Sequence, residues 1–368
     1  MNIGLCGFGV VGRGVYEIVR QRPDMKVKKI LCLEDIQLPD AQTVKDFSEI
    51  LNDPEIDTVV EAMGGLHPSY DFARAALEAG KNVVSSNKAM VCTFYDELIP
   101  LAMHKGVSLR CTAAVGGGIG WLSELERARR VQTINQVGGI MNGTCNYILD
   151  NMTRLGLGYD EALKQAQKLG YAEANPATDV DGIDTWHKVI LSANVAFGIS
   201  LDKTTVPVSG IRNISAADVD CFKAHGKVCK LISTAKRTED GFSAYVQPTL
   251  VDAGSPEGAV PLNYNLITFI GQTSERMSFY GQGAGRYPTA YNVVQDLVDV
   301  TQGKSFYAPY GAPQAADNQE AHRYYVRGDW EGSIQEDWST GVITAPVPVS
   351  QMHQWVKDHP DAFIAGVD

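Results

Sequence analysis

The sequence predicts an α/β protein in which a doubly wound parallel sheet is followed by a second, mixed α/β domain. Three observations predict it. A glycine-rich turn, Gly7-Phe8-Gly9-Val10-Val11-Gly12, joins a strand at residues 2–6 to the helical run Val15–Val19. Strand-like and helix-like segments then alternate to about residue 130, the pattern of βαβ units with right-handed crossovers. Beyond that point the alternation gives way to polar loops, amphipathic helices and longer β-like runs.

The 368 residues suit two domains, or two and a fragment. Apolar residues make up 44% of the chain, enough for a sizeable core. The net charge is −11 and no basic run occurs, which argues against nucleic acid or an anionic membrane as partner. Seven cysteines lie scattered without a CxxC or a Cys/His metal spacing, and they read as reduced core residues of a cytoplasmic protein. Met1 leads straight into the first strand, so no signal peptide is expected, and no apolar run reaches membrane-spanning length.

In a turn of the Gly7–Gly12 kind, glycines permit a tight bend, backbone approach to a pyrophosphate and close packing of helix on strand. The helix N-terminus then faces the phosphates. Gly7, Phe8, Gly9, Val10, Val11 and Gly12 are therefore candidate dinucleotide contacts, and the sheet reads as Rossmann-type. The second strand, Val27–Leu33, ends at Glu34-Asp35, where an acidic residue meets the ribose hydroxyls. No Arg or Lys occurs from Ile36 to Val44 to hold a 2′-phosphate. Asp57–Met63 reads as the third strand and runs into Gly64-Gly65. A helix at Ser69–Ala79 stops at Gly80, and a fourth strand, Asn82–Ser85, leads to Asn87-Lys88-Ala89. Ligands of such sheets bind beyond the carboxyl ends of the strands, which directs Lys88 to the site. A helix at Tyr95–His104 and a strand at Ser108–Thr112 lead into Val115-Gly116-Gly117-Gly118-Ile119-Gly120.

After residue 130, Gly139–Asn146 reads as a polar loop and Asp160–Leu169 as an amphipathic helix closed by Gly170. The stretch Gly170–Lys188 then gathers Glu173, Asp179, Asp181 and Asp184 with a lone amine, Lys188. The residues that follow, Val189–Phe197, are almost wholly apolar and predict a buried helix, with Asp181 as N-cap and Gly198 as its stop. Asp184 and Lys188 lie one turn apart on one face. On an exposed helix such a pair is ordinary decoration. On a helix this apolar, the ammonium is buried and needs a partner or a job. Several carboxylates around one lysine suit a small substrate with an amino group and a reacting oxygen. From Val206 to Gly285, β-like pieces (Phe242–Pro248, Leu266–Gly271, Met277–Tyr280) surround a helix near Ala216–Thr234, and a further helix spans Val293–Val300. The chain after Gly303 is rich in Pro, Tyr and Trp and shows no clear period. Trp186 and His187 read as packed helix residues.

These motifs in this order resemble the homoserine dehydrogenase family, over residues 1 to about 302. The carriers are the glycine turn, Asn87-Lys88-Ala89, Val115–Ile119, Ile140-Met141-Asn142-Gly143-Thr144, Gly170-Tyr171-Ala172-Glu173, Asp179–Asp184 with Lys188, and Gly283-Ala284-Gly285 with Pro288-Thr289-Ala290. The resemblance implies an oxidoreductase that reduces L-aspartate 4-semialdehyde to L-homoserine with NAD or NADP, on the way to threonine and methionine. It implies Lys188 as proton donor and acceptor, Asp184 and Glu173 as substrate-holding carboxylates, and Lys88 between nicotinamide and substrate. It places Asp179, Tyr171, Gly143 and Thr144 in the substrate pocket, and Gly64, Gly170 and Gly283 beside the cofactor. It implies a homodimer built through the second domain, and a sodium ion bound by the backbone of Val115, Gly117 and Ile119. The domains it suggests are residues 1–130 for the dinucleotide, with the helix 288–302 returning to it, 131–287 for substrate and dimerisation, and 303–368 as an extension too short for a complete regulatory ACT module.

The chain also departs from the family pattern. Thr112 stands where a sodium-binding glutamate is expected, and Gly120-Trp121 replaces a proline and an aliphatic residue. Cys145 and Asn175 replace a threonine and an aspartate. Two competing readings are a relative acting on a different amino-acid semialdehyde, its pocket reshaped by Trp121, and a dinucleotide sensor without catalysis. Lys88, Glu173, Asp184 and Lys188 together argue against the sensor. Glu34 at the ribose predicts a preference for NAD over NADP, since a carboxylate repels the extra phosphate.

Overall fold

The structure is a computed structural model, and it describes residues 1–305 and 313–367. The chain divides into two compact units: Met1–Val131 with Asn194–Ser200 and Gln282–Pro313, and Gln132–Ala193 with Leu201–Gly281 and Gln314–Asp368. Among the described residues, no helix is long and apolar enough to cross a membrane.

The first unit is built on six parallel strands: β1 (Asn2–Cys6), β2 (Lys26–Leu31), β3 (Gln42–Val44), β4 (Thr58–Glu61), β5 (Asn82–Ser85) and β6 (Leu109–Arg110). Their spatial order is β3-β2-β1-β4-β5-β6. The order reverses between β1 and β4, which is where doubly wound sheets bind dinucleotides. The central strands β1, β4 and β5 are almost wholly buried, as strands are where helices cover both faces of such a sheet. The helix Arg286–Thr301 returns from late in the chain and buries Ala290, Val293, Val294 and Leu297 in one core with Val15 and Val19 of the helix Val10–Val19. It begins seven residues before the expected Val293. Two further expectations change here. The second strand stops at Leu31, leaving Leu33 almost fully exposed, and a short β3 and a helix at Ser48–Leu51 lie in an interval to which the sequence assigned no element.

The second unit carries a ten-stranded sheet from β7 (Ile134–Ile140), β8 (Lys227–Arg237), β9 (Phe242–Asp252), β10 (Tyr264–Gly271), β11 (Glu275–Gln282), β12 (Ala321–Arg327), β13 (Ile334–Asp337), β14 (Val342–Thr344), β15 (Val347–Pro348) and β16 (Phe363–Val367). Its path runs β11-β10-β7-β8-β9-β16-β12-β14-β13, with β15 on β12. The expected helix near Ala216–Thr234 is a helix only over Ala216–Ala224; residues 227–237 are the long strand β8. Gly226, with φ +70°, ends the helix, and the β-branched Val228 and Ile232 suit the strand that follows. Gly139–Asn146, expected as loop, is instead the end of β7 and the start of the helix Gly143–Leu155.

The tail beyond Gly303 is not a featureless extension, although residues 306–312 of it lie outside the described residues. β16 pairs in parallel with β9, Gly366 opposite Thr249 and Val367 opposite Leu250, so the tail continues the second unit's sheet. Tyr324, Val326, Val347, Met352 and Ile364 form its own small core. Tyr325 Oη and Arg327 Nε both donate to Asp218 Oδ1, at 2.7 and 3.0 Å, on the helix Ala216–Ala224. Within the helix Val349–Asp358, His353 is buried, with Nδ1 3.1 Å from Ser209 Oγ and Nε2 3.0 Å from Gln247 Oε1. Gln247 Oε1 accepts, so Nε2 carries the hydrogen and Nδ1 accepts from Ser209: a neutral ring.

Burial, and then the Lys357 ammonium, lower the His353 pKa to about 3. The unfolded imidazole takes up a proton below about pH 6.5 while the folded one excludes it, so stability falls as pH drops through that window toward 3. We expect the melting temperature of the native chain to fall more between pH 6.5 and 4.5 than that of His353→Gln, a difference of up to about 2.7 kcal/mol. Parallel pH profiles of the two proteins contradict a neutral buried His353.

Candidate active site

The helix Ile183–Phe197 is buried from Lys188 onward, and Asp184 and Lys188, both in the second unit, are only 5% and 7% exposed. Lys188 Nζ donates to Asp184 Oδ2 at 2.6 Å and to the Met141 carbonyl at 2.7 Å. Two of its three N–H donors are thereby committed. Met141 lies between the end of β7 and the helix Gly143–Leu155, so a strand end supplies the carbonyl. Gly198, with φ +67°, takes the helix-ending position expected of it. Asp181 is not the N-cap of this helix. It ends the short helix Ala177–Val180, and its carboxylate pairs with Arg212 at 2.8 and 2.9 Å.

Asn142 is the residue that sequence reasoning left without a role. Its Nδ2 donates to Asp179 Oδ1 at 2.7 Å and to Asp184 Oδ2 at 2.8 Å, so one amide joins the two carboxylates. Its Oδ1 accepts from Cys145 N at 2.8 Å, capping the helix Gly143–Leu155. An Asn directly before an apolar helical run is a cap signal, and that signal was present in Met141-Asn142-Gly143-Thr144. Thr144 Oγ1 donates to the Tyr171 carbonyl at 2.5 Å, and Tyr147 meets the Tyr171 ring edge-on. Cys145 is fully buried; burial and then Asp179 and Asp184 push its thiol well above the usual range, which keeps it protonated. The site thus brings together Asp179, Asp184, Lys188, Thr144 and Tyr171. Glu173 is exposed and Asp179 half-buried, and the Glu173 carbonyl accepts from Gln167 at 3.1 Å. Trp186 Nε1 donates to the Val206 carbonyl at 2.9 Å, a packing role as expected.

In the first unit the three glycines of the turn divide the work. Gly7 has φ +95°, and a Cβ there would lie 2.7 Å from the Ala62 carbonyl oxygen. A Cβ on Gly12 would lie 2.1 Å from the Gly7 carbonyl oxygen, so helix and turn touch. Gly9, just before the helix Val10–Val19, faces nothing within 4 Å and leaves its backbone open to a phosphate. Gly64, beyond β4, is likewise open, and Lys88 starts the helix Lys88–Thr93, capped by Asn87 beyond β5. At the end of β2, the structure brings in two bases from outside residues 36–44. Arg13 Nη2 lies 3.1 Å from Glu34 Oε2, and Lys45 Nζ lies 2.8 Å from Asp35 Oδ1. Hydrogen bonding to Lys45, and then its charge, hold the Asp35 carboxyl below its usual value. The Arg13 guanidinium also stacks over Phe8, 4.8 Å from the ring centroid.

Two of the three backbone carbonyls expected to hold sodium already accept hydrogen bonds within the protein. The Gly117 carbonyl accepts Asn292 Nδ2 at 2.5 Å, and the Ile119 carbonyl accepts Trp121 N at 2.7 Å. Trp121 is fully buried within this unit.

Comparison with known proteins decides the family. The profile of the homoserine dehydrogenase NAD-binding domain matches residues 7–112, and that of homoserine dehydrogenase itself matches residues 121–298. The chain belongs to the homoserine dehydrogenase family. The homoserine dehydrogenase of Bacillus subtilis is 34% identical over 84% of this chain and 76% of its own length. That of Pseudomonas aeruginosa is 36% identical over 82% and 72%. The crystal structure of a homoserine dehydrogenase from Thiobacillus denitrificans superposes with a TM-score of 0.89 at 28% identity, covering 100% of this chain and 98% of that one. The Staphylococcus aureus enzyme at pH 7.5 gives 0.78 at 28% identity, covering 100% and 99%. Membership makes the chain an oxidoreductase acting on a CH–OH group, with a Rossmann-type NAD(P)-binding domain and a small-molecule substrate.

Asn142 provides a test of the geometry. Asn142→Ser keeps a capping oxygen and loses the amide donors, whereas Asn142→Ala loses both. Both should lower kcat/KM by about tenfold or more, with the Ala variant less stable than the Ser variant by about 1 kcal/mol. Steady-state kinetics and thermal melts read the two effects separately, and full activity in the Ser variant contradicts the role given to the amide.

Proposed function

We propose that this chain interconverts L-aspartate 4-semialdehyde and L-homoserine, with Lys188 moving the proton at the reacting oxygen. The observation that carries this reading is the buried ammonium with two of its three donors fixed by Asp184 and the Met141 carbonyl. The nicotinamide, when bound, supplies the hydride to the aldehyde carbon. Negative charge then develops on the aldehyde oxygen, and the third N–H of Lys188 donates to that oxygen and delivers the proton. In the oxidising direction the neutral amine takes the hydroxyl proton, and Asp184 stabilises the ammonium that forms. Glu173 and Asp179 receive the substrate's ammonium. Gly143 and Thr144 open a 13-residue helix whose N-terminus favours the substrate carboxylate. Tyr171 lines the same pocket. Lys88 acts at the cofactor end, and Gly64, Gly170 and Gly283 approach the dinucleotide.

The same reading makes the protein a cytoplasmic homodimer joined through the second unit. β11, at the end of the sheet path, exposes Met277 and Tyr280, an edge that isolated proteins cover. NAD is preferred over NADP: Glu34 accepts from both ribose hydroxyls, and Arg13 must leave Glu34 before it can meet a 2′-phosphate.

Two measurements test the reading. Lys188→Ala should lower kcat by about 10²–10⁴-fold with cofactor affinity little changed. Near-normal turnover in the folded variant would remove Lys188 from the mechanism. The native enzyme should favour NAD in kcat/KM by at least about tenfold, equivalent to about 1.4 kcal/mol, and Glu34→Ala should narrow or reverse that ratio by releasing Arg13. Equal values for both cofactors in the native enzyme, at one pH and salt, would show that Glu34 does not reach the ribose.

A further inference from the structure

The helix Arg286–Thr301 sets Asn292 and Asp296 four residues apart, one turn on one face. Both are almost fully buried, and both reach the segment 112–120. Asp296 Oδ2 accepts Thr112 N at 2.8 Å and Oδ1 accepts Thr112 Oγ1 at 2.7 Å, fixing the start of the segment. Asn292 Nδ2 donates to the Gly117 carbonyl, fixing its middle. The amide cannot be turned round, because two oxygens would then face each other at that separation. A turn closes the far end, with Ile119 N on the Gly116 carbonyl at 2.8 Å and Gly118 N on the Gln282 carbonyl at 3.0 Å. The close approach is compulsory: a Cβ on Gly117 would lie 2.4 Å from the Gly283 carbonyl oxygen.

A buried guanidinium stands in the same place. Arg110 is fully buried, and its guanidinium meets Asp296 at 3.1 Å, Asp299 at 2.9 Å and Glu126 at 3.3 Å. A hard cation such as sodium needs several oxygen ligands with their lone pairs turned inward. Here the Thr112 hydroxyl is bonded to Asp296 and Ser123, and the Gly117 oxygen faces an amide N–H. That hydrogen puts positive partial charge beside the oxygen an ion would use.

We propose that Asn292, Asp296 and Arg110 replace the alkali-metal ion at this loop, so that the chain holds it in place without sodium. The inference concerns the loop alone and stands apart from the assignment of Lys188. The test is made on the native enzyme dialysed into choline chloride, then moved to NaCl or KCl at a constant ionic strength of about 0.1 M. We expect the melting temperature to stay within about 1 °C, because an ion that does not bind adds no stability. The ²³Na resonance should show no broadening by the protein. A saturable rise in melting temperature of about 5 °C or more in sodium, or a broadened ²³Na line, overturns the proposal. Asn292→Asp provides the second arm, since it keeps the size and removes the donor. Its melting temperature in choline should fall by several degrees, and an unchanged value would show that Asn292 does not hold the loop.

Discussion

A buried ammonium sets the constraint on which the second unit's site depends. Taking a lysine out of water is expensive, and the cost is offset only where partners stand ready. Lys188 finds them in two separate places in the chain, the carbonyl at the end of β7 and the carboxylate one turn back on its own helix. Asn142 then fixes that carboxylate and ties it to Asp179. The same Asn caps the helix Gly143–Leu155, so the start of that helix and the orientation of the lysine are set by one side chain. Asp184 and Lys188 are thereby held as a buried ion pair at 2.6 Å.

The first unit, an NAD(P)-binding domain, solves a different problem, making room for anionic phosphate. Backbone supplies the answer. Gly7 and Gly12 press turn, strand and helix together, and Gly9 leaves the helix N-terminus open. At the end of β2 the charges are balanced rather than simply acidic, since Arg13 and Lys45 pair with Glu34 and Asp35. Those pairs are exposed and worth little to stability.

Much of this was legible in the sequence where a residue type has one physical use. Glycines at three fixed spacings after a strand predicted the turn, and an Asp and a Lys four apart on an apolar helix predicted a buried pair. Asn82–Ser85 was read as a strand to the residue. Legibility failed where the signal is contextual. Lys227–Arg237 alternates too little to separate strand from helix, because both of its faces are covered. β3 is three residues long, below the length at which periodicity can be seen. The tail hid its strands because its last one, β16, pairs with β9 across 117 residues, Gly366 opposite Thr249, and no local pattern records that pairing. Arg13 and Glu34 meet across 21 residues, and Asn142 and Asp184 across 42, which spacing alone does not reveal.

The central claim is that Asn142 works through Lys188 by way of Asp184. The most direct measurement is a double-mutant cycle on kcat/KM for homoserine oxidation, using Asn142→Ser, Lys188→Ala and the pair. If the amide acts only by orienting the lysine, removing it from a protein that already lacks the lysine costs almost nothing further, and the double variant matches Lys188→Ala within about twofold. Multiplication of the two single losses in the double variant would contradict that, and would give Asn142 and Lys188 independent roles.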